Sequence, residues 1–356
     1  MPIVAHIDLP TFQRLRNEGE EILQPDRASH QDIREIHIGL LNMMPDSALE
    51  ATERQFFRLV SACNQIAQFH VHPFTIEGLE RGPEAKAHIE KYYESFEKIK
   101  QDGLDALIIS GANVTHPHIP EEDFWQPLTE VFDWAKKNVT SILCSCLATH
   151  ALIHYCYGIE RTPLPTGKRW GVYPHKLLDR RHPLVAEINT RFDVPHSRYN
   201  EIFQQDMEDK KLKVLAVSEE AGVHLAVSPD GFRIVFFQGH PEYDEISLMK
   251  EYKREVIRFF QNEREDYPPF PEHYFNQEAQ QVLLDYKNHV LEAKSLGTKL
   301  EVFPEQKIIG NLDNTWRDTA KAVINNWLGK VYQITNKDRR LPFMDGIDPK
   351  NPLGLE

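Results

Sequence analysis

Short apolar runs bounded by turn residues alternate along this chain with longer segments whose apolar positions recur every three or four residues. The first pattern predicts buried strands and the second amphipathic helices. Strands are expected at IHIGLLN (36–42), FHVHPFTI (69–76), LDALIIS (104–110), TSILCS (140–145), KVLAVS (213–218), VHLAVS (223–228) and RIVFFQ (233–238). Helices are expected near 48–64, 84–101, 121–137 and 147–156. The first four strands each lead into a helix or a helix-bearing loop, whereas the last three follow one another across AG and DG turns. That order predicts an α/β protein of flavodoxin-like type, a mostly parallel sheet flanked by helices and extended by antiparallel strands.

The pattern changes after residue 262. Pro268, Pro269 and Pro271 stop the preceding helix, and two helical segments follow, NQEAQQVLLDYKNHVLEAKSL (276–296) and TWRDTAKAVINNWLGKVYQIT (315–335). Residues 1–262 are therefore expected to form the catalytic α/β part. Residues 263–356 are expected to be a helical appendage packed on it.

Composition narrows the function. A formal charge of -13 disfavours nucleic acid and anionic membrane as partners, since both need a basic surface. No uninterrupted apolar run approaches the roughly 18 residues of a membrane span, and the N-terminus, with Asp8, lacks a signal pattern. A soluble, cytoplasmic protein is expected. The cysteines are Cys63, Cys144, Cys146 and Cys156, a spacing that fits neither a disulfide framework nor a CxxC metal site. The histidine pairs HVH (70–72) and HPH (116–118) are read as packing or surface residues, and no metal is expected.

Two short segments carry chemistry. The strand TSILCS runs straight into CLATHALIHYCYG, which puts Cys146 where a buried strand turns into a helix. At such an elbow the unpaired first-turn amides and the helix dipole favour a thiolate and can hold an oxyanion. Taken alone, Cys146 reads equally as a small core residue. In FFQGHPEYD, His240 and Glu242 follow the end of a strand, at the sheet edge where open α/β folds build their sites. His240 can accept the thiol proton and Glu242 can orient its imidazole.

With these residues in place the chain resembles the homoserine O-acyltransferases of methionine biosynthesis, a branch related to the class I glutamine amidotransferases. The matching segments are RASHQDIREIHIGLLNMMP (27–45), DGLDALIISGA (102–112), the Cys146 elbow with YGI (157–159), GVYPHKL (171–177), PHSRY (195–199), GHPEYD (239–244) and WLGKVYQIT (327–335). The resemblance implies Cys146 as acyl-thioester nucleophile, His240 as base and Glu242 as its orienting partner. It implies Lys168, Ser197 and Arg254 as substrate-binding residues, acyl-coenzyme A and L-homoserine as substrates, no permanently bound cofactor, and a homodimer. Thr115 falls where the family distinguishes acyl donors. A glutamate near this position goes with acetyl transfer and a glycine with succinyl transfer, because a carboxylate repels the distal carboxylate of a succinyl group, whereas a small neutral residue such as threonine leaves room for it. Thr115 therefore predicts succinyl-coenzyme A, and Glu121 and Glu122, beyond Pro117 and Pro120, are not expected to reach it.

The chain also departs from the family pattern. Leu147 and His150 stand where a Trp and a Gln are usual, which makes His150 a rival base; Asn113 replaces a proline; and the segment 276–313 is longer than its usual counterpart. Acetyl-coenzyme A as donor and L-serine as acceptor remain the alternative substrates. A glutaminase-type amidotransferase and a non-catalytic sensor are the alternative functions.

Overall fold

The computed structural model describes residues 3–20, 22–29, 33–63, 67–165 and 167–355. Residues 30–32 of the segment 27–45 and residue 64, the expected end of the first helix, lie outside the described residues.

The described residues form an eleven-stranded sheet. From edge to edge its strands are Ile22–Leu23, Ile3–Val4, Gln68–Phe74, Glu35–Leu41, Ala106–Ile109, Ser141–Ser145, Ile234–Phe237, Gly222–Val227, Lys213–Ser218, Arg169–Leu177 and Arg191–Arg198. The first seven run parallel and the rest antiparallel. Numbered along the chain, the five central parallel strands lie in the order 2-1-3-4-5, the flavodoxin-like arrangement.

Both faces are covered, so the central strands are mostly buried, and all five residues of Ser141–Ser145 are enclosed. On one face, Ile36, Ile38 and Leu40 pack with Phe56, Phe57 and Val60 of helix Asp46–Ser61 and with Trp327 and Val331 of helix Arg317–Ile334. The Trp327 indole also donates to Ser141 Oγ at 2.8 Å, so the late helix is tied into the central core. On the other face, Leu107, Ile142 and Cys144 meet helices Trp125–Asn138 and Leu147–Tyr157. Helix Gln277–Leu296 packs beside helix Ser247–Phe260 in a separate aromatic cluster with Tyr252 and Phe275.

The stretch 84–101 is not one helix but two, Pro83–Tyr92 and Phe96–Asp102. Glu94 leaves the helix to bond with the end of the Gln68–Phe74 strand, and Ser95 caps the second helix through its hydroxyl. Strands Arg169–Leu177 and Arg191–Arg198 were also absent from the expected set. Pro174 and Pro195 interrupt their apolar pattern, yet the two pair in full antiparallel register, with Pro174 opposite Asp193 and Val172 opposite Pro195. Gly171 is required here for space, because a Cβ would lie 2.2 Å from the carbonyl oxygen of Glu272, whose backbone bonds to both of its neighbours.

Candidate active site

The C-terminal ends of the central parallel strands converge on Cys146. It is the residue before helix Leu147–Tyr157, with φ 53° and ψ -111°, in the region that side chains other than glycine rarely adopt. A conformation of this kind costs about 1 to 3 kcal/mol and persists only where the surroundings enforce it. Here the Cys146 N–H donates to Phe237 O at 2.8 Å, and the Thr149 hydroxyl donates to Phe237 O and Cys144 O at 2.8 and 3.0 Å. The elbow is thereby pinned to two strands with the sulfur half-buried. The Thr149 N–H donates to Cys146 O at 3.0 Å, while the amides of Leu147 and Ala148 precede the first intrahelical bond and provide donors beside the sulfur. The other thiols sit in poorer surroundings for ionisation. Burial pushes Cys63 up to about 12 and Cys144 well above the ordinary thiol range.

His240 follows Gly239, where a Cβ would lie 2.7 Å from Val194 Cγ1 and 2.8 Å from His196 Nε2. Without a side chain at 239 the turn lies flat on the neighbouring strand, and the His240 N–H donates to Pro195 O at 2.7 Å. Nδ1 of His240 is 2.7 Å from Glu242 Oε1, which also accepts from Ser145 Oγ at 3.2 Å, and the imidazole stacks on Tyr243 at 4.2 Å between centroids. Burial disfavours the imidazolium, but Cys146 and Glu242, by charge and by hydrogen bonding, override it and hold His240 well above the usual histidine range. Asp244 fixes the end of this loop through ion pairs with Arg54 and Arg58 of helix Asp46–Ser61.

His150 has a different environment. Its Nε2 is 2.9 Å from Gln238 Oε1, whose amide nitrogen donates to Ile202 O and Val223 O, so the imidazole proton is committed to the glutamine oxygen. Burial pushes His150 down to about 3.

Lys168 and Ser197 enter on the proline-containing hairpin. Both donate to Glu251 Oε2, at 2.9 and 2.7 Å, and the Tyr243 hydroxyl donates to Oε1 at 2.8 Å. Glu251 thus joins the histidine loop to the substrate-binding residues; it lies on helix Ser247–Phe260 three residues before Arg254, and the sequence reading missed it. A charged residue in an amphipathic helix gives no sequence signal of its own, but the half-buried lysine across from it calls for a counter-ion. Arg254 is about half exposed, and its Nε approaches Glu255 only to 3.9 Å. Two connected cavities of about 660 and 600 Å³ share Cys146, Asn113, Ser197 and Arg254; Lys168 and Arg161 border the second.

Burial works against ionisation of Glu251, but Lys168, with Ser197 and Tyr243, overrides it and holds its carboxyl at about 2, against an ordinary 4.5. A depressed carboxyl pKa stabilises the fold above the unfolded value, and the contribution is lost as pH falls through the folded one. Glu251→Gln is expected to cost about 3 kcal/mol near neutral pH, from the size of the shift. The deficit should shrink between about pH 4.5 and 2. Urea unfolding of both proteins across that range checks it, and a deficit independent of pH would contradict this account of the network.

At Thr115 the structure overturns the expected loop path. The short helix Ile119–Glu121 turns the chain back, and the buried Glu122 carboxylate reaches Thr115 after all. Glu122 Oε1 accepts from the backbone N–H groups of Thr115 and His116, both at 2.7 Å, and Oε2 accepts from the Thr115 hydroxyl at 3.1 Å. The hydroxyl is therefore engaged with Glu122. Arg161, anchored on the carbonyls of His116 and Pro117, stands close enough to offset the Glu122 charge.

A family model described as homoserine O-succinyltransferase matches residues 2–337. Homoserine O-succinyltransferase of Methylobacter tundripaludum is 79% identical over 355 residues, and that of Methylococcus capsulatus 68% identical over 355, each alignment covering 100% of both chains. Among solved structures, a glutamine amidotransferase of Thermotoga maritima superimposes over 83% of this chain and 97% of its own, at 13% identity and a TM-score of 0.45. A family model that spans the elbow and the histidine loop, with full-length relatives at 79% and 68% identity, leaves one conclusion: the chain belongs to the homoserine O-succinyltransferase family.

Proposed function

We propose that this protein transfers a succinyl group from succinyl-coenzyme A to the hydroxyl of L-homoserine through a thioester on Cys146. The observation that carries this reading is the Cys146–His240–Glu242 arrangement, with a half-buried sulfur at the shared cavity, in a chain whose relatives bear that enzyme name. The Cys146 thiolate attacks the donor carbonyl, and the oxyanion is held by first-turn amides. The C–S bond to coenzyme A then breaks as His240 protonates the departing sulfur. Thioester formation removes the thiolate charge that helps to keep His240 protonated, so the neutral imidazole left behind is ready to deprotonate homoserine. The homoserine alkoxide attacks the thioester, and Cys146 is released. Glu242 holds the ring in one tautomer throughout.

Lys168, Ser197 and Arg254 bind the acceptor in this reading, with Glu251 setting the positions of the first two. Arg254, the least restrained of the three, supplies a planar fork for the α-carboxylate. Arg254→Lys keeps the charge and loses the fork, and is expected to weaken homoserine binding about tenfold or more while leaving single-turnover acylation of Cys146 near wild type. Equal damage to acylation would assign Arg254 to the donor.

The succinyl preference rests on Thr115 and its setting. Glu122 gives its charge to two N–H groups and one hydroxyl beside Arg161, so it does not present a free carboxylate at Thr115. Thr115→Glu would add one against Glu122. It should lower kcat/KM for succinyl-coenzyme A relative to acetyl-coenzyme A by about tenfold or more. An unchanged ratio would move donor choice elsewhere.

Steady-state kinetics with homoserine and serine, each with both donors, tests the whole assignment. The highest kcat/KM is expected for homoserine with succinyl-coenzyme A, and turnover of glutamine to ammonia is not. The same reading takes acyl-coenzyme A as a transient co-substrate with no resident cofactor, and residues 1–262 as the catalytic part joined to 263–356 through Trp327. It also places a homodimer in the cytoplasm; among the described residues no helix is long and apolar enough to cross a membrane.

A further inference from the structure

Four strands across the sheet from the one that leads to Cys146, three donor groups converge beside the Ile3–Val4 strand. His6 follows that strand, His72 lies in Gln68–Phe74 next to it, and Glu94 sits in the break between the two short helices. One ligand atom from each lies within 4.8 Å of the other two, and the His6 and His72 ring centroids are 4.6 Å apart. His6 Nδ1 is 3.1 Å from Val4 O and donates to it, which leaves Nε2 as a bare lone pair. That Nε2 is buried and has no hydrogen-bond partner among the described residues. Burial pushes His6 down to about 4, so the ring is neutral near pH 7.

A hydrogen-bond chain of three contacts runs through His72 and His37. His72 Nδ1 is 2.8 Å from Glu94 Oε1, His72 Nε2 is 2.8 Å from His37 Nδ1, and His37 Nε2 is 3.3 Å from Glu35 Oε2. Three contacts need three N–H groups, and a pair of imidazoles with one N–H each supplies two. With His72 donating to Glu94 and His37 donating to His72, a bare nitrogen of His37 faces a carboxylate. A cation on His72 Nδ1 in place of that proton lets His72 donate to His37 and His37 donate to Glu35, and gives the His6 lone pair a partner.

We propose that His6 Nε2, His72 Nδ1 and Glu94 Oε1 bind a late first-row divalent cation of the Zn²⁺ or Co²⁺ type, with a fourth position open to solvent. Two imidazoles and one carboxylate suit these ions rather than Mg²⁺ or Ca²⁺, which favour all-oxygen sites. A tetrahedral site places its donors about 3.3 Å apart, so small side-chain rotations separate the present arrangement from a closed one. The open position faces a pocket of about 490 Å³ that Asp8, Tyr92, Lys91 and Lys98 also line. His37 then serves as the outer hydrogen-bond partner that fixes the His72 ring. The ion would tie the first strand to its neighbour and to the Glu94 break. Lys98 Nζ lies 2.9 Å from Glu94 Oε2, and its charge opposes the cation.

The test uses full-length protein carrying Cys146→Ser, so that the reactive thiol cannot bind metal, stripped with chelator and titrated with Co²⁺ while visible d–d absorption is followed. One equivalent is expected to bind, with a rise in Tm, and Zn²⁺ should displace it. His6→Ala and Glu94→Gln should each weaken binding by roughly tenfold or more. Lys98→Gln should tighten it, a direction that a folding defect does not produce. No Co²⁺ bound by the parent, an affinity unchanged in His6→Ala or Glu94→Gln, or weaker binding in Lys98→Gln would each overturn the site.

Discussion

Cys146→Ser removes acyl transfer, by about 10³-fold or more, and leaves the protein folded. The magnitude follows from the nucleophile's place in the reaction. A serine hydroxyl lacks the thiolate that pairs with His240, and no other thiol can replace it. Cys144, two residues away, is wholly enclosed, and Cys63 is buried behind helix Asp46–Ser61. Cys144→Ala is therefore expected to show the opposite behaviour. It leaves a cavity in the most central strand, costs about 1 to 3 kcal/mol, and retains near wild-type kcat/KM. Thermal unfolding and steady-state kinetics on the two variants separate the roles. An active Cys146→Ser with a dead Cys144→Ala would reverse the assignment.

His240→Ala is expected to slow both half-reactions, each by about 10² to 10⁴-fold, because one imidazole protonates the departing coenzyme A and then activates the acceptor. His150→Gln is the matched control. Gln238 holds the His150 proton, and burial keeps that ring neutral, so the change to glutamine should preserve most of the rate. Rapid-quench measurement of acylation without homoserine, followed by deacylation on adding it, resolves the two steps. A large loss in His150→Gln with His240→Ala near wild type would transfer the base to His150.

The regular parts of this fold could be read from the chain because their signals are local. Strands such as Ser141–Ser145 and Ile234–Phe237 are continuous apolar runs, and helix Asp46–Ser61 repeats its apolar residues at helical spacing. The strand-to-helix junction placed Cys146 at an elbow without any knowledge of which strands pair. The hairpin carrying Lys168 and Ser197 was hidden, because Pro174 and Pro195 read as breakers until a partner strand accepts them. Glu251 and Glu122 escaped for a different reason. Each acts on groups brought to it by a turn or a long crossover, Lys168 lying 83 positions from Glu251 and Thr115 seven from Glu122 around a reversed loop. The 84–101 break was missed because Glu94 and Ser95 are compatible with a helix until the end of the Gln68–Phe74 strand offers Glu94 a backbone partner.

The central claim is a covalent succinyl group on Cys146, and intact mass spectrometry after incubation with succinyl-coenzyme A alone tests it most directly. The expected result is a gain of one succinyl group per chain, located on Cys146 by peptide mapping. The adduct should disappear when homoserine is added and be absent from Cys146→Ser. Steady turnover with no adduct at any time, or an adduct that homoserine does not discharge, would contradict the account.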